Sequence, residues 1–287
     1  MSDKLLIIGE NGQLARALKT LCVRQNRPCE TLGSAKLDLI SNSKAIADII
    51  ANTDATAVIN ASAYTAVDTA ETDRDAAFAL NATAPEAMAS ACKTRGMPFI
   101  HISTDYVFNG QASTPYPVNT PIDPINTYGE SKAAGEAAIL AIGSAATILR
   151  TSWVYDGMGK NFLTTMLRLG AERATLNVVA DQIGRPTYAG HLAEACLKII
   201  DSPMQTEPRI FHVSNGGTPI SWKDFATAIF NAADIDCHVN AIPTSDYPTP
   251  AKRPAYSVLD ISAFEQTFNH PLPLWQDGLT AALNERL

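Results

Sequence analysis

The sequence predicts an α/β protein built on a doubly wound parallel sheet, with a smaller, discontinuous C-terminal region. Three observations predict it. Short apolar runs alternate with helical segments through the first half of the chain, the pattern of right-handed βαβ units. The runs are continuous in Val, Ile and Leu, as strands covered on both faces require. A glycine-rich turn joins the first run to the first helix.

The elements follow in order. "KLLIIG" is a strand, and "GQLARALKTLCVRQ" carries apolar residues at helical spacing,. "PCETLG" reads as a second strand, and "NSKAIADIIANT" as a helix capped by Ser41,. "AVINASA" is a buried strand, followed by a long alanine-rich helical stretch and then the strand "PFIHIST". "TYGESKAAGE" is helical, and "AATILRTSWVY" is the next strand, ending at Trp153. Beyond it the pattern loosens. "KNFLTTMLRLGAER", "HLAEACLKIIDS" and "SWKDFATAIFNAAD" look helical, the last opened by a Ser221 cap,. Residues 1–155 are expected to form the main sheet domain and 156–287 mainly a substrate-facing region, with parts of about 175–202 returning to the sheet.

Composition narrows the function. With 46% hydrophobic and 18% charged residues, the chain is globular rather than disordered,. A net charge of −7 argues against a general nucleic-acid binder,. An anionic ligand would need local cations and backbone N–H groups. Five cysteines without a C-x-x-C pair read as reduced thiols,. The start has too short an apolar run for a signal peptide, and no segment approaches a membrane span. The expectation is a cytoplasmic protein, a monomer or homodimer, without nucleic-acid or membrane partners.

"GENGQLA" carries the first chemical signal. Gly9 permits the tight turn, Gly12 allows a pyrophosphate close to the backbone, and Ala15 suits helix–sheet packing,. The helix N-terminus beyond offers free N–H groups to an anion. Asn11, Gln13 and Leu14 share this turn, so the segment is a candidate dinucleotide site of the Rossmann type,. The second strand ends in Gly33 and Ser34 where an acid would disfavour a 2′-phosphate,. NADPH is therefore favoured over NADH, with Ser34 or Lys36 available to the phosphate. Asp38 and Leu39 border the adenine in this reading; a turn preceding the helix is the competing role for Asp38.

A second constellation lies further on. Thr104 ends a strand at the carboxyl edge of the sheet, where open α/β sheets hold their ligands. Tyr128 and Lys132 stand one helical turn apart on one face, and Trp153 closes the next strand. A lysine ammonium about 4 Å from a phenol, at an effective dielectric of about 20, stabilises the phenolate by roughly 4 kcal/mol. That lowers the phenol's pKa by about three.

With these segments the chain resembles the extended short-chain dehydrogenase/reductase superfamily. The closer resemblance is to the family of dTDP-4-dehydrorhamnose reductases, carried by "GENGQL", "VINASAYTAVDTAE", "STDYVFNG", "TYGESKAAGE", "LRTSWVY", "KNFLTTML", "DQIGRPTYA" and "KRPAYSVLD". The resemblance implies a Rossmann-like fold and NAD(P)H-dependent reduction of the C4 ketone of a dTDP-sugar, with Tyr128 as proton donor. Lys132 would hold the nicotinamide ribose and Thr104 the ketone oxygen. Ala61, Ser62, Ala63 and Tyr64 would pass the cofactor, with Thr65 and Val67 on the substrate side. Asn81 would support this region, or serve only its own helix. Asp105 and Tyr106 would meet the sugar nucleotide. Trp153 would stack on the hexose or belong to the core. Arg253 would take the pyrophosphate or lie on the surface, and Arg185 is a weaker candidate. Certain relatives bind magnesium through a carboxylate near the first helix; Ala15, Arg16 and Ala17 stand there in this chain, so no metal is implied. The alternatives are another sugar-nucleotide reductase, epimerase or dehydratase of the superfamily, or a non-catalytic regulatory subunit resembling that of methionine adenosyltransferase.

Overall fold

The computed structural model describes residues 3–286. Its first half runs β1 (Leu5–Ile8), α1 (Gln13–Arg24), β2 (Cys29–Leu32), α2 (Ser43–Asn52), β3 (Ala57–Asn60), α3 (Val67–Ala70), α4 (Arg74–Phe78), α5 (Ala84–Arg95), β4 (Phe99–Thr104), α6 (Thr127–Ile142) and β5 (Ala146–Thr151). The second half continues with β6 (Val154–Tyr155), α7 (Phe162–Glu172), β7 (Thr175–Val179), β8 (Ile183–Gly184), β9 (Thr187–Tyr188) and α8 (Ala189–Ile200). It ends with β10 (Arg209–His212), β11 (Ile220–Ser221), α9 (Trp222–Ala232), β12 (His238–Ile242), α10 (Ser262–Phe268) and α11 (Trp275–Asn284).

Six strands form the main sheet in the order β10-β5-β4-β3-β1-β2, every neighbouring pair parallel. The doubly wound α/β fold read from the sequence is the observed one. Successive side chains of β1 point to opposite faces. Leu5 and Ile7 enter a core with Leu18 of α1 and Leu192 and Cys196 of α8. Leu6 and Ile8 enter another with Ile46 of α2, Met88 of α5 and Ile139 of α6. All five cysteines are free.

Three local expectations change. Asn42, not Ser41, caps α2: its side chain accepts from the Ala45 N–H at 3.2 Å. Ser41 stands one residue too early and donates to Asp38 at 2.5 Å. The alanine-rich stretch is interrupted by a wide π-type turn over Ala79–Thr83 between α4 and α5. A Cβ on Gly135 of α6 would overlap the Asn81 carbonyl in that turn, so glycine lets the two backbones touch. Lastly, of the stretch at about 175–202, α8 packs in the main core, whereas β7 pairs with β12. The reason is that Leu176 and Val178 of β7 fill a separate core with Phe225, Ile229 and Trp275. The strand that rejoins the main sheet is β10, paired with β5. Ser221 caps α9 as expected, in a reciprocal box with Asp224,.

Candidate active site

The carboxyl ends of the parallel strands open into a cleft of about 480 Å³. Its walls are the turn after β1, the loop after β3, the end of β4 and the loop after β5. The strand order reverses between β1 and β3, the switch point where open α/β sheets leave a crevice.

The glycine turn has the geometry its sequence demands. Gly9 adopts φ +121, and a Cβ there would press on the Ala61 backbone at 3.2 Å. Gly12 is the N-cap of α1, with no side-chain cap and no acid in the first turn. The first N–H groups of this helix are therefore not taken by a capping side chain and carry a partial positive charge. Asn11, Gly12, Gln13 and Leu14 line the cleft together with Ala61, Ser62 and Ala63. An unblocked helix N-terminus between two small-residue loops fits a dinucleotide's pyrophosphate.

Thr104, Tyr128 and Lys132 line the same cleft, with Thr65, Val67, Asp105, Tyr106 and Trp153. Tyr128 and Lys132 lie on one buried face of α6. Asn126 caps that helix by accepting from Gly129 N–H at 2.8 Å. The Tyr106 ring stands edge-on to Tyr128, centroids 5.5 Å apart. Thr104 donates to Asp105 Oδ1 at 2.9 Å and accepts from the Tyr106 N–H at 3.2 Å.

The electrostatics differ from the simple pair read from the sequence. Burial pushes the Tyr128 phenol up to about 12, the Thr104 hydroxyl opposing and Asp105 reinforcing. No depression by Lys132 is seen. Lys132 Nζ donates to the Ile102 carbonyl at 2.5 Å and sits 3.2 Å from His101 Nε2. Burial lowers its pKa to about 8, with Glu136 opposing. Tyr128 thus carries its proton at neutral pH, as a proton donor must.

Burial also pushes Asp105 up to about 7 from its ordinary 3.8, against a hydrogen bond from Thr104. A carboxyl that keeps its proton in the folded state, but not unfolded, lowers stability as pH rises between these two values. Asp105→Asn is expected to flatten that part of the stability curve between pH 3.8 and about 7 relative to the wild type, read from denaturant midpoints of the two proteins. Parallel curves would show that Asp105 ionises normally.

Several expected residues lie outside the cleft walls. Asp38 folds onto its own turn, accepting from Ile40 N–H at 3.0 Å and Ser41 N–H at 3.3 Å. Leu39 is in the core with Leu37 and Ile46. Arg253 is tied to Asp68 at 2.8 Å, and Arg185 to the Leu259 and Asn215 carbonyls. Tyr64 is set back from the cleft. Its hydroxyl donates to Asp73 at 2.9 Å, and its N–H donates to Asn81 at 2.8 Å. Asn81 also donates to Ser131 of α6 at 2.9 Å, so it joins the loop after β3 to the helix of Tyr128. Trp153 reaches the cleft at φ +49, but its ring stacks on Trp222 at 3.5 Å.

The cleft also holds residues the sequence did not single out: Arg16, Ser103, Ser152 and Lys160. Arg16 pairs with Asp156 at 2.5 Å. Lys160 adds a further cationic side chain to the cleft wall of an acidic chain. Their only sequence signal was basic character beside a glycine turn and before "NFLTTML". Among the described residues no cluster of His, Cys, Asp and Glu could hold a metal ion. No described helix is long and apolar enough to cross a membrane.

Fold and cleft together are of the short-chain dehydrogenase/reductase type, a parallel doubly wound sheet with a glycine turn and a Tyr-x-x-x-Lys helix at one crevice. Within that class, the chain belongs to the RmlD substrate binding domain family, whose model matches residues 3–287. It is 41% identical to a dTDP-4-dehydrorhamnose reductase of Aggregatibacter actinomycetemcomitans, covering 96% of this chain and 97% of that protein. It is 37% identical to the spore coat polysaccharide biosynthesis protein SpsK of Bacillus subtilis (strain 168), covering 99% and 98%. Among solved structures, the dTDP-4-dehydrorhamnose reductase of Bacillus anthracis str. Ames in complex with NADP matches with a TM-score of 0.93 at 35% identity, covering 99% of this chain and all of that one.

Proposed function

We propose that this protein catalyses the NAD(P)H-dependent reduction of the C4 ketone of dTDP-4-dehydro-L-rhamnose to dTDP-L-rhamnose. The observation that carries the reading is the convergence of Thr104, Tyr128 and Lys132 on the crevice that the Gly12 turn also lines. The chain's 41% identity to a dTDP-4-dehydrorhamnose reductase supports the choice of sugar nucleotide. The N–H groups at the start of α1, the small residues Ala61, Ser62 and Ala63, and Lys132 are the groups to hold the dinucleotide. Hydride is the chemistry that a reduced nicotinamide supplies there.

In this reading Thr104 orients the ketone oxygen, and Tyr128 gives its proton to that oxygen as negative charge develops. Lys132 steadies the phenolate left behind. Arg16 and Lys160 attract the anionic diphosphates by local positive charge. A second reading, a related sugar nucleotide of polysaccharide synthesis, draws on the 37% identity to SpsK.

The test supplies dTDP-4-dehydro-L-rhamnose with NADPH and with NADH, follows loss of nicotinamide absorbance, and identifies the sugar formed. Oxidation above the cofactor-only rate, with dTDP-L-rhamnose as product, is the expected result. Folded protein that shows none overturns the proposal. Turnover only with a different 4-keto sugar nucleotide favours the second reading.

A further inference from the structure

Behind the cleft lies a buried chain of polar groups that the reaction above does not use. Asn60 ends β3, His101 lies in the middle of β4, and Lys132 stands on α6; all three are buried. Asn60 Oδ1 accepts from the Ser62 N–H at 3.1 Å and from the Ser62 hydroxyl at 2.6 Å. A backbone N–H can only donate, so it fixes which end of the amide is oxygen. The Asn60 NH₂ must then be the group 3.0 Å from His101 Nδ1. An NH₂ brings only hydrogens, so Nδ1 is the unprotonated nitrogen and Nε2 carries the ring proton of the neutral imidazole.

That Nε2–H faces Lys132 Nζ at 3.2 Å, while Nζ donates to the Ile102 carbonyl at 2.5 Å. An ammonium has no lone pair to accept a proton; an amine has one. The hydrogen-bond order therefore describes Lys132 as a neutral amine parked on His101. We infer that His101, oriented by Asn60, is a positioning residue that holds Lys132 in its neutral form, and that dinucleotide binding draws Lys132 off His101 with uptake of a proton. The inference rests on the dinucleotide reading of the cleft.

The surroundings agree. Tyr128 and Glu136 lie near Lys132 on α6, Asp105 and Tyr106 follow β4, Arg150 comes from β5, and Arg16 and Lys160 lie across the cleft. Glu136 favours the ammonium, but its charge is matched by Arg150 at 2.7 Å. Burial keeps His101 neutral. Once charged and released, Lys132 is free to support the phenolate.

Two measurements test this. Nitrogen NMR of ¹⁵N-histidine-labelled protein, with His101 assigned by its variant, is expected to show Nδ1 bare and Nε2 protonated. A protonated Nδ1 overturns the inference even if no dinucleotide binds. Titration calorimetry of NADPH in buffers of different ionisation heat is expected to show uptake approaching one proton at about pH 9, fading as the pH falls through about 8 and nearly gone by about pH 7,. His101→Leu removes the donor and should cut the uptake by about half or more, while His101→Gln keeps an N–H and should restore it. Binding without proton uptake at any pH, or uptake unchanged in His101→Leu, overturns the inference and leaves the cofactor reading standing. Absence of any binding heat counts against the cofactor reading instead.

Discussion

Replacing Tyr128 with phenylalanine is expected to lower kcat for sugar-nucleotide reduction by about 10²–10⁴-fold, the range for removing a positioned general acid. Dinucleotide affinity should change little. The reasoning is geometric: the ring is buried and packs edge-on to Tyr106 at 5.5 Å, and phenylalanine keeps that ring and removes only the hydroxyl. Thr104 and Lys132 remain in place, so the loss isolates proton donation. Steady-state kinetics with calorimetric binding of NADPH checks both halves. A kcat within about threefold of wild type would assign the proton to another group, with Asp105 beside Thr104 the first to examine.

The largest expected effect on stability comes from Arg150→Met. Arg150 and Glu136 are buried almost completely, 2% and 0% exposed, and joined at 2.7 Å. Ser103 also donates to Glu136 at 2.5 Å, and the Arg150 guanidinium lies over the Phe108 ring at 5.1 Å. Removing the guanidinium leaves a carboxylate in the interior without its counter-charge, a loss of about 3–5 kcal/mol. For a chain of this size that is a fall in Tm on the order of 10 °C. The double variant Arg150→Met with Glu136→Leu should recover most of it, because an apolar pair of similar volume carries no desolvation cost. Calorimetric melting of the three proteins checks this. A single variant as stable as the wild type would mean that Glu136 takes up a proton at little cost.

Much of the site was legible because its signals are local. Tyr128 and Lys132 share a helix face by virtue of their spacing alone, and the structure has them there. The turn around Gly9 and Gly12 needs no distant residue to explain it, and its φ and close approach to Ala61 are observed. Other contacts of the candidate residues were not legible, some distant in the chain and some local. Arg253, read as a phosphate or surface residue, is paired with Asp68, 185 residues away. Asp38, read as an adenine acceptor or a turn residue, accepts hydrogen bonds within its own turn. Arg16 carried only the weak signal of a basic residue near the glycine turn, and the structure sets it in the cleft against Asp156, 140 residues on.

The order of strands and helices, the glycine turn and the Tyr-x-x-x-Lys face were determined by the sequence itself. Each depends on periodicity or spacing within a few residues, where the backbone alone sets which side chains meet. The tertiary structure decided the partners and the direction in which each buried group's ionisation is shifted. Whether Lys132 faces Tyr128 or His101, whether Asp105 holds a proton, and which cations reach the cleft depend on desolvation and on neighbours brought in by adjacent strands,. Burial and long-range pairing exist only once the sheet has formed.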